Sequence, residues 1–89
     1  MKNDVVLACC DKELIGRNLK EGNYDVTIEE SFYKGELVDE HQLKKMIRDA
    51  NSINLFGNKA IMVAKKQGLI SDSDIIRIEG VEHAVILKV

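Results

Sequence analysis

Two adjacent cysteines, Cys9 and Cys10, carry the most reactive side chains of this sequence. Neighbouring residues of a regular strand point to opposite faces, so the two thiols cannot ligate one metal ion together. The sequence also lacks the C-x-x-C and H-x-x-x-H spacings that are typical of zinc sites. We therefore predict no metal site and no cofactor.

A cysteine can also act as a nucleophile when a neighbouring base raises its thiolate fraction. His83 would be this base if the last strand of the fold paired with the first. Cys10 is the better nucleophile of the two thiols, because it precedes Asp11, which begins a loop and would orient or activate the site. The alternative is that both thiols are small buried side chains that fill space in the core.

A second concentration of polar residues is the stretch "ANSINLFGNKA", residues 50–60. It reads as a junction between two helices, in which Asn51 ends the first helix, Asn58 caps the second, and Gly57 lets the chain turn. The alternative is a ligand site. Backbone N–H groups of Gly57 and Asn58 would lie at the positive end of the helix dipole, with Lys59 directly behind them, and would attract an anion.

The two histidines differ in their surroundings. His41 falls in the first turn of a predicted helix, where we expect it to be exposed and without a function. His83 begins the otherwise apolar strand "HAVILKV", which places it at a sheet edge or at the mouth of a pocket. A structural imidazole is the alternative interpretation of His83.

The elements that position these residues follow from the hydrophobic pattern. "DVVLACC" is apolar on both alternating faces and predicts a central strand, and "YDVTIEE" alternates like a half-exposed strand. Asp39 with Gln42 forms the capping box of a helix, and Gly68 ends a second helix that starts at Asn58. "IIRIEG" and "HAVILKV" predict a terminal hairpin. This order indicates an α+β fold: a mainly antiparallel sheet of about four strands with two helices packed on one face.

Composition limits the possible classes of protein. The 89 residues allow one domain, residues 1–89, and 45% hydrophobic with 31% charged residues is typical of a globular chain. The N-terminus lacks the apolar stretch of a signal peptide or a membrane span, and the adjacent cysteines form no disulfide framework. We therefore expect a cytoplasmic protein that does not contact a membrane.

Charge is distributed unevenly along the chain. The net charge is -2, whereas residues 34–66 contain seven basic and four acidic residues, a balance of about +3 that leaves about -5 for the remainder. Such a basic helical half would orient the protein on an anionic partner. Two ordinary solvated helix faces would give the same count.

Several segments together resemble a known family. "CCDKELIG", "SFYKGE", "ANSINLFGNKA", "KKQGLI" and "IEGVEHA" are similar, in order and spacing, to the archaeal domain of unknown function family 424, over nearly the whole chain. The matching positions are Cys10, Asp11, Leu14, Gly16, Phe32, Tyr33, Ala50, Asn54, Gly57, Gly68, Ile78, Gly80, His83 and Ala84. The family often has a proline before the histidine and a glutamine after the alanine, where this chain has Glu82 and Val85. The resemblance implies an intracellular archaeal protein associated with translation.

The resemblance selects positions that packing alone does not explain, namely Asp11, Asn54, Gly57 and His83. We predict that they line one cleft at the ends of the elements. The residues of this cleft are Cys10, Asp11, Asn54, Gly57, Asn58 and His83.

The leading functional hypothesis is a non-enzymatic binding module for RNA or a ribonucleoprotein, with phosphate contacts from the basic helices and base stacking on an aromatic side chain. The predicted contacts are Tyr33, Lys44, Arg48 and Lys59. The same pattern leaves two other hypotheses: a small enzyme that uses Cys10 and His83, and a structural subunit that pairs an edge strand across a homodimer.

Overall fold

A computed structural model describes residues 5–33 and 38–88, except for the side chain of Phe32. Lys34 and Glu36, which belong to the basic half of the sequence, lie outside the described residues. The elements are β1 (Val6–Cys10), β2 (Asn18–Glu21), β3 (Tyr24–Thr27), α1 (Glu30–Tyr33), α2 (Glu40–Asp49), β4 (Ser52–Phe56), α3 (Asn58–Lys66), β5 (Ile76–Ile78) and β6 (Val81–Leu87). Short 3-10 turns span Lys12–Leu14 and Asp72–Asp74.

The main sheet contains four strands in the order β1-β4-β6-β5. β1 runs parallel to β4, whereas β4 with β6 and β5 with β6 are antiparallel. The predicted α+β fold with a mainly antiparallel four-stranded sheet is therefore confirmed. A separate two-stranded ribbon of β2 and β3 adds to it.

One face of the main sheet is covered by the helices α2 and α3. Ile53 and Leu55 point from β4 to this face, where they join Ile47 of α2 and Ile61 of α3 in the larger core. These four side chains are fully buried, at 0% exposure. The spacing of Leu43, Ile47 and Ala50 that predicted α2 is the spacing of its buried face.

The described residues cover the opposite face at one end only. The ribbon and α1 enclose a smaller core that includes Leu19, Ile28 and Phe56. At the other end of this face Val6, Val85 and Leu87 are 65%, 53% and 73% exposed. The register places Val6 and Leu87 on either side of Ser52, so the exposed apolar residues lie in neighbouring strands.

Two predicted features of the topology are wrong. Residues 52–56 form the strand β4, between β1 and β6, and are not part of a helix-to-helix junction. β1 is consequently an edge strand and not a central one. The strand was hidden because two amides flank its apolar residues, and because it lies only two residues beyond α2 and one before α3.

The predicted termini of the helices agree in part. The Asp39 carboxylate accepts a hydrogen bond from the Gln42 N–H (2.8 Å), and the Gln42 side chain accepts one from the Asp39 N–H (3.0 Å), which confirms the capping box. At the end of α3, the Gly68 N–H donates to the Lys65 carbonyl and the Leu69 N–H to the Ala64 carbonyl, which is a Schellman arrangement.

Candidate functional site

Asp11 caps α3 from a distant part of the chain. Its carboxylate accepts hydrogen bonds from the backbone N–H groups of Lys59 (3.1 Å) and Ala60 (3.0 Å), and the residue is only 8% exposed. A negative charge at this position also complements the helix dipole. The start of α3, which the sequence left open as an alternative anion site, is therefore occupied by the protein's own carboxylate.

Gly57 makes this contact possible. Its φ of +110° is a conformation that L side chains rarely adopt, and an added Cβ would overlap the Asp11 side chain, lying 2.8 Å from its Cβ. Gly57 is the cap residue of α3, so the prediction that Asn58 caps this helix is wrong. The Asn58 amide oxygen instead accepts from the Glu82 N–H at 3.4 Å, which ties α3 to β6.

His83 is held by a hydrogen bond and a ring stack. Its Nδ1 lies 2.8 Å from the Leu55 carbonyl oxygen, and its ring stacks on Phe56 with centroids 3.9 Å apart and an interplanar angle of 14°. Because a carbonyl only accepts, Nδ1 carries the proton and Nε2 keeps its lone pair. Burial lowers the pKa of His83 below 6.5, although the hydrogen bond to Leu55 opposes this shift, and the ring is neutral at pH 7.

Asn54 and His83 line the same small pocket, which has a volume of about 290 Å³. Its lining residues are Val26, Thr27, Glu29, Tyr33, Asn54, Phe56 and His83. The Asn54 Oδ1 atom is buried and has no hydrogen-bond partner among the described residues. Burial, reinforced by Cys10 and Cys9, raises the pKa of Tyr33 to about 12, so its hydroxyl stays protonated.

The predicted cleft residues thus fall into two neighbouring groups. Asp11 and Gly57 meet at the start of α3, whereas Asn54 and His83 share the small pocket. Phe56 connects the groups, because its ring lines the pocket and its carbonyl accepts from the Asp11 N–H at 3.0 Å.

The two thiols point to opposite faces of β1. Cys9 packs against the helix-side core and Cys10 against the smaller core. Burial, with Cys10 and Asp11 nearby, raises the pKa of Cys9 to about 11, and burial with Asp11 and Glu13 also raises that of Cys10. The first and last strands do not pair, which was the condition for His83 to act as the base of a cysteine nucleophile. Phe56 lies between Cys10 and His83 in the register, so these two residues form no adjacent thiol–imidazole pair.

A larger groove of about 950 Å³ follows β1 and the adjoining helices. Residues Val6 to Asp11 form one side, and Leu43, Met46, Met62 and Val63 contribute apolar side chains from α2 and α3. Met46 and Met62 are 39% and 53% exposed. The sequence assigned these methionines no function, because exposure depends on which strand lies at the sheet edge.

The residues predicted to contact RNA are distributed over several elements. Tyr33 and Lys59 line the larger groove. Lys44 forms an ion pair with Glu40 at 3.6 Å, and Arg48 is exposed in the last turn of α2. Within the described parts of the chain, no three His, Cys, Asp or Glu side chains are grouped as metal ligands, and no helix has the length and hydrophobicity to cross a membrane.

Comparisons with known proteins give a family but no activity. The model of the family described as "Protein of unknown function (DUF424)" matches residues 1–89. The chain belongs to this family. An uncharacterized conserved protein from Methanopyrus kandleri has a similar crystal structure, with a TM-score of 0.80 and 32% identity over 100% of this chain and 87% of that one. No curated protein matches this DUF424 chain.

Proposed function

We propose that this DUF424 protein is a non-enzymatic binding module of the archaeal cytoplasm that holds an extended segment of another protein along the edge of β1. The observation that carries this proposal is the outer backbone edge of β1, which no other described strand pairs with, beside a largely apolar groove. An extended peptide that adds a strand to such an edge gains main-chain hydrogen bonds, while its alternate side chains enter the groove.

The direction of the backbone groups defines the edge. The Val5 carbonyl accepts from the Ser52 N–H at 3.2 Å, and the Asp11 N–H donates to the Phe56 carbonyl at 3.0 Å, so the odd-numbered residues of β1 face β4. Backbone groups alternate along a strand, and those of Val6 and Ala8 therefore point away from β4. Among the described residues, β1 pairs with β4 only.

The groove offers side-chain contacts next to this edge. Met46 and Met62 are flexible, polarizable and exposed, as is common at surfaces that accommodate peptides. Lys12, Glu13 and Lys59 also line the groove and supply charges of both signs. We therefore expect a partner segment with alternating apolar residues and few charges.

The state of the reactive side chains favours binding over catalysis. Burial raises the pKa of both thiols, which lowers their thiolate fraction at neutral pH. The His83 Nδ1 proton is engaged by the Leu55 carbonyl, and the Asp11 carboxylate by α3. These groups therefore stabilise the fold. The enzyme hypothesis would require them to be activated for reaction instead.

The test is selection of peptides from a random library displayed on phage, followed by affinity measurements with two variants at one position. Ala8→Pro removes the outward N–H and projects its ring from the free edge, while leaving the bonds of Leu7 and Cys9 to β4 intact. Ala8→Val keeps the N–H and is the matched control.

The proposal requires that the library yields enriched peptides with alternating apolar residues. The Ala8→Val variant should bind these peptides, and the folded Ala8→Pro variant should not. Equal binding by both variants, or a library that yields no enriched peptide, would overturn it. Concentration-dependent sedimentation that Ala8→Pro abolishes would identify a second copy of this chain as the occupant, and not another protein.

RNA binding is the second candidate function, and the uncompensated cations of the helices favour it. Lys45, Arg48 and Lys59 are exposed, and no described acidic side chain forms an ion pair with them. A backbone-amide NMR titration with total tRNA at low and high salt tests this candidate. Shifts at these three residues that weaken steeply with salt would support it, and unchanged spectra would remove it.

A further inference from the structure

We propose that the pocket between Asn54, Tyr33 and His83 is a binding site for the lactam edge of a nucleobase, in which an N–H group adjoins a carbonyl. Tyr33 also lines the groove beside β1, but the pocket does not use the backbone edge of β1 and does not rest on the peptide-binding proposal. Its volume of about 290 Å³ is at the lower end of the range for small-ligand pockets and suits a single planar ring system.

The sheet register brings the recognition groups together. Asn54 and Phe56 are two residues apart on β4 and point to the same face, and His83 lies opposite Phe56 on β6. Asn54 and His83 are therefore diagonal neighbours, which are about 7–8 Å apart in an antiparallel pair and leave room for a flat group between their polar ends.

The hydrogen-bonding capacity of these groups is complementary to a lactam. The His83 Nε2 atom keeps a lone pair because Nδ1 donates to the Leu55 carbonyl, so Nε2 accepts from a ligand N–H. The Asn54 Oδ1 atom is the buried end of its amide, which leaves the NH₂ end to donate to a carbonyl. A ligand that presents N–H and C=O side by side satisfies both groups.

The remaining walls select a flat, uncharged ring. Phe56 stacks with His83 at 3.9 Å and meets Tyr33 edge-on at 6.1 Å, which gives an aromatic surface in a chain that has few aromatic residues. Glu29 contributes a carboxylate, and none of the described lining residues is Lys or Arg. This electrostatic environment admits a base and disfavours its phosphate inside the pocket.

The buried Asn54 oxygen gives an independent reason to look for a ligand here. A buried acceptor without a partner costs stability, and an apolar β-branched residue would fit a central strand better. Asn54 is thus a residue that packing disfavours, and it lines the pocket. A binding function for its NH₂ group accounts for its presence.

The experiment is an NMR titration of the full chain with uridine, guanosine and inosine, compared with 3-methyluridine, in which the lactam N–H is blocked. We expect shifts confined to the pocket residues, above all Tyr33, Asn54, Phe56 and His83, together with a change of the His83 Nε2 nitrogen shift. Binding of 3-methyluridine should be at least about ten-fold weaker. Equal affinity for uridine and 3-methyluridine would overturn the proposal. So would the lack of any pocket shift with all three nucleosides at millimolar concentration.

Two protein variants complete the test. Asn54→Val removes the amide and the buried orphan acceptor, so it should fold at least as well as the natural chain while losing uridine binding by about ten-fold or more. Val85→Thr, opposite Asn54 and outside the pocket, is the matched control and should bind normally. Normal binding by Asn54→Val would contradict the proposal.

A comparison of oligouridylate with uridine distinguishes an RNA nucleotide from a free nucleoside or base as the ligand. Oligouridylate that binds more tightly than uridine, with added shifts at lysine or arginine residues, would identify an RNA nucleotide as the ligand. Equal affinity per nucleotide would identify a free nucleoside or base.

Discussion

The imidazole of His83 is fixed in one tautomer by a backbone carbonyl and a stacked ring. The Nδ1 atom is bonded to the Leu55 carbonyl at 2.8 Å and the ring stacks on Phe56 at 3.9 Å, so among the described contacts only Nε2 has no hydrogen-bond partner. The sequence located His83 at the start of an apolar strand, and this was enough to expect a pocket mouth or a structural role. The tautomer depends on Leu55, which was assigned to a helix junction, so sequence patterns could not predict it.

Stability should respond to the titration of His83. The pKa of His83 is lower in the folded protein than in the unfolded chain, so the unfolded chain binds the proton more tightly. The contribution of the neutral ring to the free energy of unfolding is therefore complete above pH 6.5, and it is lost as the pH falls through the folded pKa. We expect the free energy of unfolding, measured by urea denaturation, to decrease from pH 7.5 to pH 5. The lowered pKa values of Glu40 and Asp72 act only in more acidic solution.

The control for this prediction is His83→Gln, which retains a polar side chain and does not titrate. Its unfolding free energy should vary less between the same two pH values than that of the natural chain. The same slope in both proteins would show that another group is responsible and that the His83 ring is not held neutral by burial.

The thiols should be slow to react in the folded protein. With a pKa near 11 in place of 9.0, the thiolate fraction of Cys9 at pH 7.5 is about 100-fold below that of an ordinary cysteine. We expect iodoacetamide to modify both residues much more slowly in buffer than in urea, as followed by mass spectrometry. Selective and rapid alkylation of Cys10 in the folded chain would instead revive the enzyme hypothesis.

Both helices of the larger core are completed by residues that lie far away in the sequence. Asp11, at the end of β1, caps the start of α3, and the Lys88 ammonium donates to the Ile47 and Arg48 carbonyls at the end of α2 (2.6 and 3.0 Å). These contacts join each helix to the sheet and satisfy backbone groups that helix ends leave open. Local spacing predicted the Asp39 cap, but it cannot predict a cap that lies 48 residues away.

The same distinction explains which elements the sequence predicted. The repeat of Leu43, Ile47 and Ala50 is local and was sufficient for α2, as Asp39 and Gln42 were for its start. In β4, Ile53 and Leu55 lie on one face and Asn54 and Phe56 on the other. Because each face contains apolar residues, the sequence of β4 does not show the simple alternation of apolar and polar residues that indicates a strand. Asn51 and Asn58 resembled helix caps because short amides favour several local structures.

The contact of Asp11 with Gly57 predicts strong coupling between the two positions. Gly57→Ala should destabilise the protein by about 2–4 kcal/mol, from the positive φ and from overlap with the Asp11 side chain. Asp11→Gly should cost about 1–2 kcal/mol through loss of the cap. In the double variant the overlap is absent, so its destabilisation should be smaller than the sum by about 1–3 kcal/mol.

A second glycine separates the two causes. Gly80 has a φ of +80°, and a methyl group added there would meet open space, so Gly80→Ala should cost only the backbone strain, about 1–2 kcal/mol. Additive effects at positions 11 and 57, measured by urea denaturation, would contradict the capping contact. So would a Gly57→Ala variant that is no less stable than Gly80→Ala.

At the scale of the molecule, the described residues cover one face of the main sheet fully and the other in part, and they pair β1 with β4 only. α2 and α3 bury the first face, whereas the ribbon of β2 and β3 leaves Val6, Val85 and Leu87 exposed on the second. The sequence of local helix and strand patterns along the chain predicted the α+β class. It could not predict the outer edge of β1, since this depends on the order of the strands.

The binding proposal depends on this edge and is tested most directly by amide hydrogen exchange along β1. In the free protein, the Leu7 and Cys9 amides, which face β4, should exchange slowly, and those of Val6 and Ala8 should exchange rapidly. A bound peptide should make the Val6 and Ala8 amides slow as well. If these two amides are already protected in the free protein, or stay unprotected with peptide bound, strand addition at β1 is wrong.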